Sequence, residues 1–279
     1  TDYVVNEGQF HPVNGLQTVT VKAWKCRRLP HYLEAPARYL KQLKHKEQAQ
    51  LLFHNIKNSG MYDEKLKMYV TSESLEGETL EIGRTRAFTP GWLERESVFM
   101  HMSYKYLLGL LKSGLYSDYY TALDTALPPF MDPAVYGRSI LENSSFIASS
   151  RNPNPKNHGR GFVSRLTGTT SEMITMWLYM MTGPRLFSCD GELSFQLMPI
   201  LRSDYFNSSN QVSFTLFKDI LVTYDNPKRK NTFGQDGVSP SVYHVAFKNG
   251  ESMAMSKVTK EVALKIRNGE VSHIQVILE

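Results

Sequence analysis

The chain has only two cysteines, Cys26 and Cys189, separated by more than half of the sequence. That spacing excludes the paired ligands of a zinc site and the close dithiol of a redox couple, and two free thiols are expected. No apolar run approaches the roughly 20 residues of a membrane-spanning helix, and no basic segment followed by an apolar stretch opens the chain. No membrane partner is therefore expected, and the cytoplasm is the simplest address. Charge of one sign is not concentrated either. The formal net charge is +5, but the basic residues are dense only at 25–28 and 228–230. A modest basic excess favours small anions such as phosphate, while its dispersal argues against a nucleic-acid partner. There is no internal repeat. A start at Thr1 rather than methionine fits a processed protein or part of a longer one.

What is present is enough for a sizeable core. With 279 residues, 11% aromatic and 21% charged, the chain has the composition of a folded protein, one large domain or a medium one with a small companion. After β-like residues 16–24, the glycine-free stretch 33–57 has helical spacing, with Leu40, Leu43, Leu51, Leu52 and Ile56 on one stripe and a stop at 58–60. Further helical patterns cover 97–111 and 117–127, the latter stopped by Pro128 and Pro129. Residues 130–165 show no period, and a long irregular segment inside a compact domain is usually functional. Residues 167–183 read as a helix, with Thr169 and Glu172 as a capping box and Gly183–Pro184 as its end. Beyond it, short alternating runs separated by Asp-Gly at 190 and Asn-Gly at 249 predict an antiparallel β unit, with a boundary near 184–190.

Four segments carry candidate chemistry. LeuThrGlyThrThrSerGlu at 166–172 places a glycine and hydroxyls at a helix start, where free amides make an anion site; an ordinary capped helix would look the same. HisGlyArgGlyPhe at 158–162 sets Arg160 between two glycines, in reach of an anion or simply in a turn. In ProGlyTrpLeuGluArgGluSerValPheMetHis at 90–101, Trp92 is placed to stack on a sugar ring. Glu94, Arg95 and Glu96 offer hydroxyl or proton contacts and His101 an anion donor, although each residue alone also fits a structural role. In TyrGlyArgSerIleLeuGluAsnSerSerPhe at 136–146, Arg138, Glu142 and Asn143 fit either sugar binding or a loop-fixing network.

Together these segments resemble a family. Pro-Gly-Trp followed by an acidic residue and Phe-Met-His is similar to the phosphate-binding helix of cellobiose phosphorylase and its relatives, and SerArgLeuThrGlyThrThrSer resembles their downstream Ser-Trp-Leu-Thr-Gly. The 136–146 and 158–168 segments look closer to proteins allied with glycoside-phosphorylase families 94, 149 and 161. The resemblance runs from about Trp24 to the C-terminus. It implies a mainly α then β fold: residues 1–186 as the C-terminal part of an (α/α)6 catalytic barrel, and residues 187–279 as a small antiparallel β-sandwich-like domain. It further implies His101, Thr167, Gly168 and Arg160 as phosphate contacts, and Trp92, Glu94, Arg95, Arg138, Glu142 and Asn143 as sugar contacts. One departure stands out: the relatives use a glutamine before Thr-Gly, and none occurs here between Gln50 and Gln196.

The implied reaction is inverting phosphorolysis of a β-linked gluco-oligosaccharide. A carboxylic acid protonates the glycosidic oxygen while inorganic phosphate attacks the anomeric carbon from the opposite face, giving α-glucose 1-phosphate. No cofactor or metal is expected, with phosphate as co-substrate. In the resembling enzymes the acid is an aspartate well upstream of these motifs, and nothing at the front of this chain matches its setting. The expectation is that it precedes Thr1, in a missing N-terminal part of the same enzyme, with a homodimer at full length. Two rivals remain: a β-glycoside hydrolase with Glu94, Glu96 or Glu142 as base, and a non-catalytic glycan-binding fragment.

Overall fold

A computed structural model describes residues 2–163 and 167–279. Thr1 and the start of the expected anion-binding segment, Ser164, Arg165 and Leu166, lie outside the described residues. The chain forms two compact units, Thr1–His31 and Tyr32–Glu279.

The first unit is an antiparallel hairpin of β1 (Asp2–Phe10) and β2 (Gln17–Ala23), with Val5 opposite Val19. Its turn closes because the Asn14 side chain accepts the Leu16 amide and Gly15 takes a positive φ of 65°, a conformation glycine adopts at little cost. Tyr3, Val4, Val5 and Phe10 are exposed along β1.

In the second unit α1 (Glu34–Leu40) and α2 (Lys46–Lys57) replace the single helix expected over 33–57. Ser113 donates its hydroxyl to the Leu40 carbonyl at 2.9 Å, satisfying one of the acceptors a helix end leaves open. Leu40 and Ile56 are buried as expected, whereas Leu51 is exposed. A small hairpin of β3 (Tyr62–Asp63) and β4 (Met68–Tyr69) follows. The pattern starting at 97 is helical only after three residues: β5 (Val98–Phe99) leads directly into α3 (Met100–Lys112). Next come α4 (Tyr116–Ala126), stopped before Pro128, and the one-turn α5 (Pro133–Tyr136). The irregular segment supplies β6 (Phe146–Ile147) and β7 (Gly161–Phe162) before α6 (Thr167–Thr182).

After α6, β8 (Phe187–Ser188) and β9 (Ser194–Phe195) form a hairpin across Asp190–Gly191. The remaining elements are β10 (Gln211–Leu216), β11 (Ile220–Asp225), β12 (Pro240–Phe247), β13 (Ser252–Met255), α7 (Lys260–Arg267) and β14 (Val271–Leu278). They build a five-stranded sheet of order β10-β11-β14-β12-β13. One face meets α6, where Trp177 packs edge-on to Phe214 at 5.8 Å and Tyr224 donates to the Met181 carbonyl.

The fold expectation is therefore corrected at both ends. The chain is 32% helical and 24% strand, and among the described residues the helices do not close a barrel. They are too few and too short for a ring of six helical hairpins: α1 has seven residues and α5 four. Nor is the C-terminal part a purely antiparallel sandwich. Its main sheet is mixed, because β11 and β14 run parallel, and that pairing needs the long crossover through β12, β13 and α7. Among the described residues no helix is long and apolar enough to cross a membrane.

Candidate functional site

The site is built on the three-stranded sheet β5-β6-β7, where β6 pairs antiparallel with both neighbours. β5 and β7 consequently run the same way, β5 into α3 and β7 towards α6. Cross-strand partners Phe99, Phe146 and Phe162 stack in a row, at centroid distances of 4.5 and 5.7 Å. Trp92 continues the row, lying on Phe162 at 3.6 Å and 6°. At the other end His101 meets Phe99 edge-on at 6.0 Å. Such cross-strand aromatic pairs contribute about 0.2–1 kcal/mol each, and they hold the strand ends in register.

His101 is the second residue of α3 and Gly168 the second of α6. The two helix starts meet there. A Cβ added to Gly168 would fall 2.5 Å from His101 Cε1 and 2.6 Å from Nδ1, so the imidazole lies on the bare α-carbon. Thr167, exposed, opens the same helix. Each helix start carries roughly half a positive charge on amides that lack an intrahelical acceptor; in α3 the Met100 amide donates to the Ser145 carbonyl at 2.9 Å, and no side-chain cap takes up those that follow. Three of the four expected phosphate contacts are thus brought together.

Glu172, one turn beyond Gly168, turns out not to cap the helix. α6 already begins at Thr167, so Thr169 is its third residue, and the Thr169 hydroxyl is fully buried with no partner among the described residues. The Glu172 carboxylate instead stands between the His101 ring and the Lys41 ammonium, with Oε1 3.8 Å from His101 Nε2 and Oε2 3.9 Å from Lys41 Nζ. Burial pushes the His101 pKa below its ordinary value, helped by Lys105 and Lys41 and opposed by Glu172 and Glu34. Burial likewise lowers Lys41, helped by Lys112, Lys105 and Arg38 and opposed by Glu172. The imidazole is accordingly neutral near pH 7, and the positive charge of the pocket resides on the lysines and the helix starts.

The other expected residues fall elsewhere. Arg160 pairs through its backbone with Ala148, at the end of the sheet opposite to His101. Its guanidinium lies over the α-carbon of Gly137, is exposed, and has no acceptor among the described residues. Beside it in sequence, Arg138 makes an ion pair with Glu142 at 3.0 Å. Asn143 is tied beneath the site, accepting from Tyr104 on α3 at 3.1 Å and donating to Met173 on α6 at 3.5 Å. In the 90–96 turn, Glu94 holds Arg84 through two hydrogen bonds of 3.0 and 2.6 Å. Arg95 is buried and fully engaged by the Arg86 and Phe88 carbonyls, Glu76 and Glu96. Glu96, also buried, accepts the Leu75 amide and faces Arg151. Trp92 alone of this turn presents an aromatic surface beside the sheet.

Sequence reasoning missed Lys41, Lys105 and Glu172 as members of the site. Lys105 was findable, since it lies one helical turn from His101; Lys41 was not, because only tertiary packing brings α1 to α3. Among the described residues no group of His, Cys, Asp and Glu could hold a metal ion.

No family model matches the chain, and no curated protein matches it.

Proposed function

We propose that this chain carries the phosphate-binding wall and part of the sugar site of an inverting phosphorylase acting on β-linked gluco-oligosaccharides. The observation that carries the reading is the contact of the His101 imidazole with Gly168 where α3 and α6 begin, beside Lys41. There the amides of two helix starts, the Thr167 hydroxyl and a neutral imidazole offer fixed donors to one anion, and a lysine offsets its charge. Held so, a phosphate oxygen is aimed at the anomeric carbon without further ordering, which lowers the entropic part of the barrier to a bimolecular displacement. Trp92, at the far end of the aromatic row, supplies a flat apolar face for a sugar ring.

The general acid is assigned to a part of the enzyme outside these residues. Glu94, Glu96 and Glu142 are each engaged by an arginine, and none lies beside His101. The reading places the enzyme in the cytoplasm, where the exposed thiols of Cys26 and Cys189 stay reduced, and as a homodimer when complete.

Calorimetric titration with inorganic phosphate, with and without a β-gluco-oligosaccharide, tests this. Binding is expected in the wild type and is lost in His101→Ala and Thr167→Ala. Oligosaccharide binding untouched by both substitutions, with no phosphate binding, would leave a plain glycan-binding fragment; phosphate-independent sugar release would make it a hydrolase.

A further inference from the structure

The phosphate site proposed above has a carboxylate among its side chains. Glu172 directs one oxygen at the neutral His101 ring, 3.8 Å from Nε2, and the other at the Lys41 ammonium, 3.9 Å from Nζ. Both gaps are wider than a hydrogen bond. Neither oxygen is therefore saturated by these partners. The three side chains are partly open together, Glu172 at 18% and His101 and Lys41 at 26% each. A carboxylate in this position repels any anion, and on charge alone it weakens the site. Its presence is useful only to a ligand that can donate a hydrogen bond to it.

Monohydrogen phosphate carries such a proton; sulfate, with the same shape and charge, carries none at neutral pH. We propose that Glu172 is a specificity-determining residue that accepts the P–OH hydrogen of inorganic phosphate and excludes fully deprotonated oxyanions. This rests on the phosphate site proposed above. Lys41 and the helix starts attract the dianion, the Gly168 amide and His101 hold oxygens of the phosphoryl group, and Glu172 reads the one oxygen that bears hydrogen. The physical basis is asymmetric. A site built to hydrogen-bond a ligand hydroxyl strongly rejects the analogue that lacks it, because an acceptor facing another acceptor is both unpaired and repelled.

The test is a pair of titrations, inorganic phosphate and inorganic sulfate, on the wild-type chain, Glu172→Gln and Glu172→Asp, with circular dichroism to show that each is folded. The wild type is expected to prefer phosphate by about tenfold or more. Glu172→Gln, which removes the charge but keeps the shape, should raise sulfate affinity until the two anions bind within about twofold of each other. Glu172→Asp should retain the preference. Equal binding of both anions by the wild type, or an unchanged ratio in Glu172→Gln, overturns the proposal while leaving the phosphate site standing. Failure of either anion to bind any of the three proteins removes the site and this inference together. Binding of both anions by Glu172→Gln and of neither by the wild type would make Glu172 a blocking group and refute its role as a reader of the proton.

Discussion

The imidazole of His101 rests on the α-carbon of Gly168, so closely that a methyl group there would overlap Cε1 and Nδ1, at 2.5 and 2.6 Å. Gly168 is inside a helix and needs no unusual φ; it is small because a ring occupies the space a side chain would take. Gly168→Ala is thus expected to displace His101 rather than to break α6. Overpacking of this kind costs about 1–3 kcal/mol, and phosphate affinity should fall about tenfold or more. Chemical denaturation and phosphate titration measure the two effects separately. Unchanged phosphate binding would show that the ring's place does not matter.

Arg95 and Glu96 sit at the base of the 90–96 turn with 4% exposure each. Arg95→Ala takes the donor from the Arg86 and Phe88 carbonyls and one of two arginines from Glu96, which keeps Arg151 and the Leu75 amide, and each buried acceptor left unpaired costs about 1–3 kcal/mol. Arg84→Ala removes the exposed partner of Glu94, a change expected to cost about 1 kcal/mol or less. The denaturant midpoints of the two variants should differ clearly, and similar midpoints would refute the buried role of Arg95.

Burial holds the His101 pKa below its ordinary 6.5, so the native state binds this proton less readily than the unfolded chain. Stability from this group is complete above the unfolded value and declines as the pH falls through 6.5 towards the lower native value. Acidification favours the protonated ring, which the unfolded chain accommodates better. In His101→Gln that part of the acid sensitivity should vanish. Melting temperatures of both proteins from pH 7.5 down to pH 5 decide it, the wild type falling more steeply.

Backbone protection should be uneven. The β1–β2 hairpin pairs only with itself in its sheet, and an isolated two-stranded ribbon is marginal in water. β14, flanked by β11 and β12 and burying Val271, Ile274, Val276 and Leu278, sits at the centre of the larger sheet. Amide hydrogen exchange is expected to be far faster in residues 2–23 than in β14, and equal protection would contradict this account.

Much of the chain's local structure was legible before any coordinates. The helix over 167–182 is bounded by Gly183, whose φ is +82°, and Pro184, and α4 ends where its prolines begin. β12 and β14 show alternating burial because one side chain in two faces the core, the same period that marks them in sequence. The grouping of His101 with Thr167 and Gly168 came only from the resemblance to glycoside phosphorylases, which also put Arg160 with them, and Arg160 lies at the opposite end of the sheet.

The failures share a cause. The Thr169–Glu172 spacing matches a capping box, but the same two residues serve equally one turn into a helix that starts earlier, and only the packing of α6 on α3 gives Glu172 its neighbours. Val98 and Phe99 satisfy a helical stripe and a strand alike; pairing with β6 decides between them. Lys41 follows α1 and carries no local mark of function. Sequence by itself determined turns, stops, periodicities and the residue types able to bind an anion, because these depend on backbone sterics and on neighbours within a turn. Tertiary structure alone decided that β11 and β14 run parallel, that no barrel closes among the described residues, and that the Glu172 carboxylate stands beside His101 and Lys41, because each depends on contacts between segments far apart in the chain.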